Sequence, residues 1–358
     1  KARAKGTAKI TCTVKRKKKT YKLTCKVKVK AKKTVVASSL KDTYAKIVPY
    51  MGTCLNYGSA SNPRELQNAS TMKFVKKQYN SFTLENEMKP DAILGSSAKL
   101  ISVADAKKKG YYIPAGYTES TVPELAFTTV DKSLEAAKNN GLKMRAHTLV
   151  WHSQTPSWFF TKNYDGSKVV TPAVMDARLD FYIHNVMGHV MDKEKALTGS
   201  AGSIVYAWDV VNEYLHRPSF AFFKTWTSVY GDMGNSPSYV KKAFEIAYDM
   251  LKSYQATDKV TLFYNDYNTY FGVKDTLNLV EFINKGETAK ICGGIGMQSH
   301  VDIKRPTLEE YGNALKAFIN AGLEVQITEL DITINFDTDD TDGRTPTYAY
   351  KNEKETDA

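Results

Sequence analysis

The chain has 358 residues, which suits one large domain or one large and one small domain, and 42% of them are hydrophobic, enough for a sizeable core. No run of 18 uncharged apolar residues occurs, so no membrane span is predicted. The four cysteines form no C-x-x-C pair and the six histidines show no spacing such as H-E-x-x-H, so we expect neither a metal site nor a cofactor.

The net charge of +12 comes from the N-terminal segment. Residues 1–35 hold 15 Lys and Arg residues and no Asp or Glu, which leaves 35 of the 50 basic residues against 38 acidic ones elsewhere. Apolar side chains alternate with Lys and Thr on both sides of the sequence KRKKK, which predicts a β-hairpin of half-buried strands with a lysine-coated face. Such a face either binds an anionic polymer, such as cell-wall material, or only discourages edge aggregation.

This hairpin resembles the last two strands of a bacterial immunoglobulin-like domain of group 2, in which the sequence GTAKIT is typical. We therefore interpret residues 1–35 as a remnant of such a domain, in front of a second domain at residues 36–358. Cys12 and Cys25 can face each other across the hairpin, and their redox state stays open. Cys54 and Cys292 are expected to be reduced and in the core.

Seven apolar strands follow, separated by stretches long enough for a helix each. A capping box at Thr307 and Glu310 opens one such helix, and Gly141 and Gly322 fit helix C-terminal positions. Strands that alternate with helices and are apolar on both faces predict a parallel sheet, and seven units favour an α/β fold of the (β/α)8 TIM-barrel type. The predicted strands lie in residues 50–56, 81–87, 143–152, 205–213, 260–268, 294–300 and 324–332.

Polar and aromatic side chains follow these strands, the first one excepted. In a barrel the carboxyl ends of the strands meet on one face, where active sites lie. Two glutamates, Glu213 and Glu329, stand there among amides, imidazoles and indoles, a set suited to hydroxyl-rich uncharged ligands. Two carboxylates are also what the hydrolysis of a glycosidic bond needs.

The motifs at the strand ends resemble those of glycoside hydrolase family 10, the barrel endo-β-1,4-xylanases. They occur in the family's order over residues 45–335 and read LENEMKP, HTLVWHSQTPSW, WDVVNE, NDYN, GMQSH and ITELDI. The resemblance implies that Glu213 is the general acid/base and Glu329 the nucleophile of a retaining mechanism. It also implies that His300 and Asp331 orient the nucleophile.

The resemblance further implies the walls of the sugar-binding subsites. Asn212 corresponds to the residue that bonds the sugar 2-hydroxyl, and Tyr267 to an aromatic residue on the leaving-group side. With Gln154 at the third strand end, the predicted substrate-binding residues are Glu85, Asn86, Lys89, His147, Trp151, Gln154, Asn212, Tyr267 and Gln298.

The sequence departs from the family's pattern in two places. Family members continue past the seventh strand to an eighth strand and helix with tryptophans, whereas residues 333–358 contain no Trp and no strand pattern. We therefore expect the barrel in this chain to lack its eighth βα unit. The long stretch between the second and third strands, around residues 110–127, predicts an elaborated loop over the rim.

The predicted function is endo-acting hydrolysis of β-1,4-xylosidic bonds in xylan. The alternatives are a non-catalytic glycan-binding module, if the barrel is incomplete, and a β-1,4-glucanase. We expect xylan or xylo-oligosaccharides as partners, no nucleic acid, and a bacterial protein that is secreted or held at the cell surface, although no signal peptide is read in the chain. Side-chain preference on the xylan and oligomeric state stay open.

Overall fold

The computed structural model describes residues 6–29, 39–218 and 223–333. Within these ranges the strands are β1 (Gly6–Arg16), β2 (Lys19–Val29), β3 (Gly52–Leu55), β4 (Ser81–Leu84), β5 (Leu100–Ser102), β6 (Thr121–Pro123), β7 (Lys143–Trp151), β8 (Val205–Asn212), β9 (Thr261–Asp266), β10 (Gly294–Met297), β11 (His300–Asp302), β12 (Glu324–Ile327) and β13 (Asp331–Thr333).

The α-helices of the described part of the chain lie between these strands. They are α1 (Leu40–Tyr44), α2 (Ala69–Gln78), α3 (Pro90–Leu94), α4 (Val103–Lys108), α5 (Thr128–Asn140), α6 (Pro172–Thr198), α7 (Trp226–Tyr230), α8 (Ser238–Ser253), α9 (Val273–Asn284) and α10 (Leu308–Asn320). Short 3-10 helices cover Glu65–Gln67, Ser157–Phe160 and Lys162–Tyr164. None of the helices in these ranges is long and apolar enough to cross a membrane.

The central element is a seven-stranded parallel sheet in the order β12-β10-β9-β8-β7-β4-β3. All seven predicted strands are present, each is hydrogen-bonded to the predicted strand before or after it, and the sheet curls as in an α/β barrel. This confirms the predicted fold class. The expectation that an eighth unit is lacking depends on residues 334–358, which lie outside the described residues.

The core lies between the sheet and a row of outer helices. Helices α5, α6, α8, α9 and α10 contact one another in chain order, parallel to the order of the strands they follow. Strand β8 is buried along almost its whole length because helices cover one of its faces and the curled sheet encloses the other. The predicted capping box is formed at α10, where the Glu310 N–H donates to Thr307 Oγ1 (3.2 Å) and the Thr307 N–H donates to Glu310 Oε2 (2.8 Å).

The N-terminal hairpin forms as predicted, with β1 and β2 antiparallel and a two-residue turn at Lys17 and Lys18. Both turn residues have positive φ, as a type I′ turn requires. Every residue from 6 to 28 is exposed, so the half-burial that the alternation predicts would need further strands packed on the apolar face. The two cysteines are free: Cys12 lies opposite Leu23, and Cys25 lies opposite Ile10.

The stretch between β4 and β7, the second and third barrel strands, was predicted to lie over the rim, but it packs elsewhere. It contains the antiparallel pair β5–β6, and its tyrosines pack against the outer helix α6. The Tyr112 N–H donates to Asn185 Oδ1 (2.9 Å), and Asn185 Nδ2 donates back to the Tyr112 carbonyl (2.9 Å). Arg178 of α6 binds Glu119 through two nitrogens. These contacts hold the stretch on the outside of the barrel.

The remaining cysteines differ from each other in burial. Cys292 is fully buried, as predicted, and burial raises the pKa of its thiol to about 12. Cys54 is exposed, contrary to the prediction, because β3 is an edge strand of the described sheet.

Candidate active site

Glu213 lies directly after β8, at the carboxyl edge of the sheet. Its backbone has a φ of 56°, an uncommon value for a residue other than glycine, and its N–H donates to the carbonyl of Asn265 on the neighbouring strand (2.9 Å). Trp151 Nε1 donates to Glu213 Oε2 (2.8 Å), and Gln298 Nε2 donates to Glu213 Oε1 (2.8 Å). His152 Nε2 is 3.8 Å from the same carboxylate. The chain reverses at Glu213, and its carboxylate is fixed by donors from two other strand ends.

Glu329 lies two residues after β12, at the same edge. Its N–H donates to the Gln298 carbonyl (3.0 Å), which ties this position to the end of β10. Asn265 Nδ2 donates to Glu329 Oε1 (2.8 Å), and His300 Nε2 is 3.3 Å from Glu329 Oε2. The other ring nitrogen of His300 bonds Asp331 Oδ2 (2.7 Å).

Two side-chain amides connect the two glutamates through one shared acceptor. Asn265 Nδ2, which bonds Glu329, also donates to Asn212 Oδ1 (2.8 Å). Gln298 Nε2, which bonds Glu213, donates to the same Asn212 oxygen (3.1 Å). The carbonyl oxygen of Asn212 is thus occupied by two donors, and its Nδ2 group is the part suited to a ligand.

The electrostatics of Glu329 favour the ionised carboxylate. Burial opposes its ionisation, but the hydrogen bonds from His300 and Asn265 and the nearby imidazole of His147 outweigh burial and lower the pKa of Glu329 from 4.5 to about 2. The hydrogen bond to Glu329, together with that to Asp331, raises the pKa of His300 from 6.5 to about 9 against the opposing effect of burial. At neutral pH the pair is therefore an imidazolium beside a carboxylate.

A buried ion pair lies beneath the site, on strands β7 and β8. The guanidinium of Arg145 binds both carboxylate oxygens of Asp209, and His147 Nδ1 bonds Asp209 Oδ2 (2.9 Å). Gln326 Oε1 accepts from Arg145 Nε (2.9 Å). This cluster fixes the His147 ring, whose electrostatic effect favours the ionised form of Glu329. Neither Arg145 nor Asp209 was predicted as a site residue, although each is a charged residue inside an apolar strand.

A polar wall forms where β4 and β7 end. Lys89 Nζ donates to Asn86 Oδ1 (3.1 Å) and to Gln154 Oε1 (2.9 Å), and it lies 5.1 Å from the centre of the Trp151 ring. Glu85 accepts from Asn56 Nδ2 (2.9 Å). Asn56 follows β3, so the first strand end also contributes a polar side chain. This residue was not predicted, although it directly follows the apolar run.

The remaining predicted residue, Tyr267, follows β9. Its ring stacks on that of His216, with centroids 4.0 Å apart, and burial together with the charges of Glu213 and Asp266 raises the pKa of its phenol. The structure thus brings all the predicted residues to one edge of the sheet. Across the described ranges no group of three His, Cys, Asp or Glu side chains is arranged to hold a metal ion.

A comparison with protein-family models agrees with the finding of two glutamates at the ends of barrel strands. The model of the family described as Glycosyl hydrolase family 10 matches residues 39–356. The chain belongs to glycosyl hydrolase family 10. This confirms the family predicted from the strand-end motifs.

Two curated relatives resemble the chain over most of its length. It is 48% identical over 303 residues to endo-1,4-beta-xylanase A of Butyrivibrio fibrisolvens, a match that covers 84% of this chain and 69% of the relative. It is 37% identical over 276 residues to endo-1,4-beta-xylanase B of the same organism, which covers 77% of this chain but 39% of the relative. The chain therefore spans about two thirds of the first relative and well under half of the second.

A solved structure of this family also resembles the fold. The CBM22-1-GH10 modules of the Clostridium thermocellum xylanase 10B, solved with xylohexaose, align with a TM-score of 0.62 at 30% identity, over 88% of this chain and 56% of that chain.

The ion pair between His300 and Glu329 predicts that the stability of the fold depends on pH. Because the folded-state pKa of His300 is raised, its contribution is fully present below pH 6.5 and is lost as the pH rises through about 9. The difference in free energy of unfolding between the wild type and His300→Asn should therefore shrink between pH 7 and pH 10. Glu329 stays ionised throughout this window, since its pKa is about 2.

Denaturant unfolding at a series of pH values measures this difference, and an NMR titration of the His300 ring measures the pKa directly. A midpoint near 6.5 would contradict the ion pair.

Proposed function

We propose that this protein is an endo-1,4-β-xylanase that hydrolyses xylan with retention of configuration at the anomeric carbon. The observation that carries the proposal is the pair of glutamates, one held as a carboxylate by Asn265 and His300 and the other held by Trp151 and Gln298. The names of the curated relatives support the choice of xylan, since both are endo-1,4-beta-xylanases.

In the first step, an oxygen of Glu329 attacks the anomeric carbon, and the bond from that carbon to the glycosidic oxygen breaks. Glu213 donates its proton to the departing oxygen, so the leaving sugar departs as an alcohol. In the second step, Glu213 takes a proton from water, the water oxygen attacks the same carbon, and Glu329 is released as a carboxylate.

The surroundings of Glu329 suit a nucleophile. A carboxylate with a pKa of about 2 is ionised at any pH at which the protein works. His300 and Asp331 hold it in one orientation, which matters because an error of about 1 Å in placement costs on the order of 10²-fold in rate. Asn212 presents its Nδ2 group to the 2-hydroxyl of the sugar under attack, while Lys89, His147 and Trp151 form the wall for the sugars on the retained side.

Xylan and carboxymethyl cellulose distinguish a xylanase from a β-1,4-glucanase, and the release of reducing sugar distinguishes either from a glycan-binding module. We expect rapid release from xylan and little from carboxymethyl cellulose. Binding to xylan without release, or a preference for the cellulose derivative, would overturn the proposal.

Replacing Glu329 with Ala should abolish turnover of every glycoside substrate, because no other carboxylate replaces the nucleophile. Added azide should then restore cleavage of an activated aryl xyloside, with a product of inverted configuration. The matched control is Glu281→Ala, since Glu281 is exposed on the outer helix α9 and makes none of the hydrogen bonds of the site. Wild-type activity in Glu329→Ala would show that the nucleophile is assigned wrongly.

Glu213→Ala should separate substrates by their leaving groups. Xylan needs protonation of its leaving oxygen, so its hydrolysis should fall by ~10²–10⁴-fold. An activated aryl xyloside needs none, so its first step should survive and the glycosyl–enzyme intermediate should accumulate, which mass spectrometry of the intact protein detects. Equal losses on both substrates would argue against Glu213 as the acid.

We propose that the hairpin β1–β2 belongs to an immunoglobulin-like β domain and that the protein acts outside the cell. Exposed apolar residues on one hairpin face, among them Ile10 (57% exposed) and Leu23 (67% exposed), support packing against further strands. Cys12 and Cys25 lie on that face, so protection of both from thiol reagents in the protein isolated from its source tests the first part. Xylan is too large to cross a membrane, and detection of the protein in the culture medium tests the second.

The opposite face of the hairpin supports a contact with an anionic polymer of the cell wall. Lys9 lies directly opposite Lys26, and Lys22 and Lys28 lie on the same face. Retention of the protein on isolated cell walls should fall in Lys9→Glu/Lys26→Glu while its hydrolysis of xylo-oligosaccharides stays unchanged. Unchanged retention would indicate that the lysines only discourage aggregation through the edges of the hairpin.

A further inference from the structure

Next to Glu213 lies a group of side chains for which the mechanism above gives no role. His216 is three residues after Glu213, and its ring stacks on Tyr267 with centroids 4.0 Å apart and planes 29° apart. Its Nδ1 bonds Asp266 Oδ1 (2.8 Å). One face of the Tyr267 ring is therefore covered by an imidazole that is itself fixed by a carboxylate.

Asp266 is fully buried, and its hydrogen bonds join the two segments that bear Glu213 and Tyr267. The Tyr267 N–H donates to Asp266 Oδ1 (2.8 Å), and the Tyr264 hydroxyl donates to Asp266 Oδ2. The Tyr264 hydroxyl in turn accepts from the Leu215 N–H (2.9 Å). The carboxylate thus ties the turn after Glu213 to the turn that carries Tyr267.

A buried carboxylate needs this many partners, because an ionised group without them is expensive to bury. The bond to Asp266 also raises the pKa of His216, although burial of the ring opposes this. The imidazole of His216 stacks against the aromatic side chain expected to contact the departing sugar, so it lies where it can affect that contact.

We propose that His216 is a positioning residue for the leaving-group side of the site, where it holds Tyr267 as a platform for the departing sugar. The inference rests on the proposed function, because the leaving-group side is defined by that reaction. The strength of leaving-sugar binding then depends on a residue that touches neither the substrate nor the reacting atoms.

The test compares two substrates that differ on the leaving-group side alone. Xylohexaose places sugars there, whereas β-xylobiosyl fluoride places only a single fluorine atom there, which is too small to stack on Tyr267. His216→Ala should lower kcat/KM for xylohexaose by about 3- to 10-fold, the size of one lost aromatic stacking contact, mainly through KM. The kcat/KM of the same variant for the fluoride should stay within about twofold of wild type, because this substrate does not use the contact with Tyr267.

Two further variants separate the contacts of His216 and keep the test informative if the Ala variant folds poorly. His216→Phe keeps the ring on Tyr267 and loses the bond to Asp266, while His216→Gln keeps a donor for Asp266 and loses the ring. We expect His216→Phe to retain more activity on xylohexaose than His216→Gln.

The chain offers a matched control in His189→Ala. His189 has the same kind of contacts outside the site: it stacks on Phe127 with centroids 3.9 Å apart and bonds Asp131 (2.7 Å). Its side chain is 33% exposed, against 32% for His216. His189→Ala should change kcat/KM for both substrates equally.

Equal losses on both substrates in His216→Ala, or unchanged kinetics on xylohexaose, would overturn the inference. A wild-type protein that hydrolyses neither substrate would overturn the proposed function instead, and the inference with it. A wild type active on both, with a selective loss in His216→Ala, supports both.

Discussion

The geometry of the site depends on the side chain of Asn265. Its single Nδ2 group donates to Glu329 and to Asn212, and Asn212 is bonded through Gln298 to Glu213. The Asn265 oxygen is fixed by the Thr328 hydroxyl (2.7 Å). Room for this side chain exists because position 296 on the next strand is glycine, and a Cβ there would collide with the Asn265 amide. One fully buried amide therefore sets the relation between the two glutamates.

Beneath the Asn265 amide lies a buried carboxylate whose charge is balanced by neighbouring basic side chains. Asp209 is fully buried, but Arg145 binds both its oxygens and His147 binds one. Removal of one partner from such a pair is strongly destabilising, by about 3–5 kcal/mol in typical cases, because an uncompensated charge is left behind. The cluster adds little net stability over apolar packing, so its benefit lies in the fixed orientation of His147 beside Glu329.

Some features were predictable because they depend on local sequence. The seven strands are apolar runs, and the polar residues that follow them meet because parallel strands in a barrel end on one face. The pairing of Arg145 with Asp209 was not predictable, since it depends on the register between β7 and β8, which shifts twice in this pair. The stacking of His216 on Tyr267 depends in the same way on two turns that the sequence does not bring together. The exposure of the hairpin was also missed, because alternation shows which residues share a face but not what covers it.

The two glutamates follow strands that differ in their pairing. Glu213 directly follows β8, which pairs with β7 and β9 on its two sides. Glu329 follows β12, which among the described residues pairs with β10 alone, and Ile327 beside it is 50% exposed. A strand paired on one side has fewer backbone bonds to fix it. The Thr328 and Glu329 N–H groups bond the carbonyls of Met297 and Gln298, and Asn265 and His300 bond the carboxylate. Side chains from neighbouring strand ends therefore fix both carboxylates, Asn265 and His300 at Glu329 and Trp151 and Gln298 at Glu213.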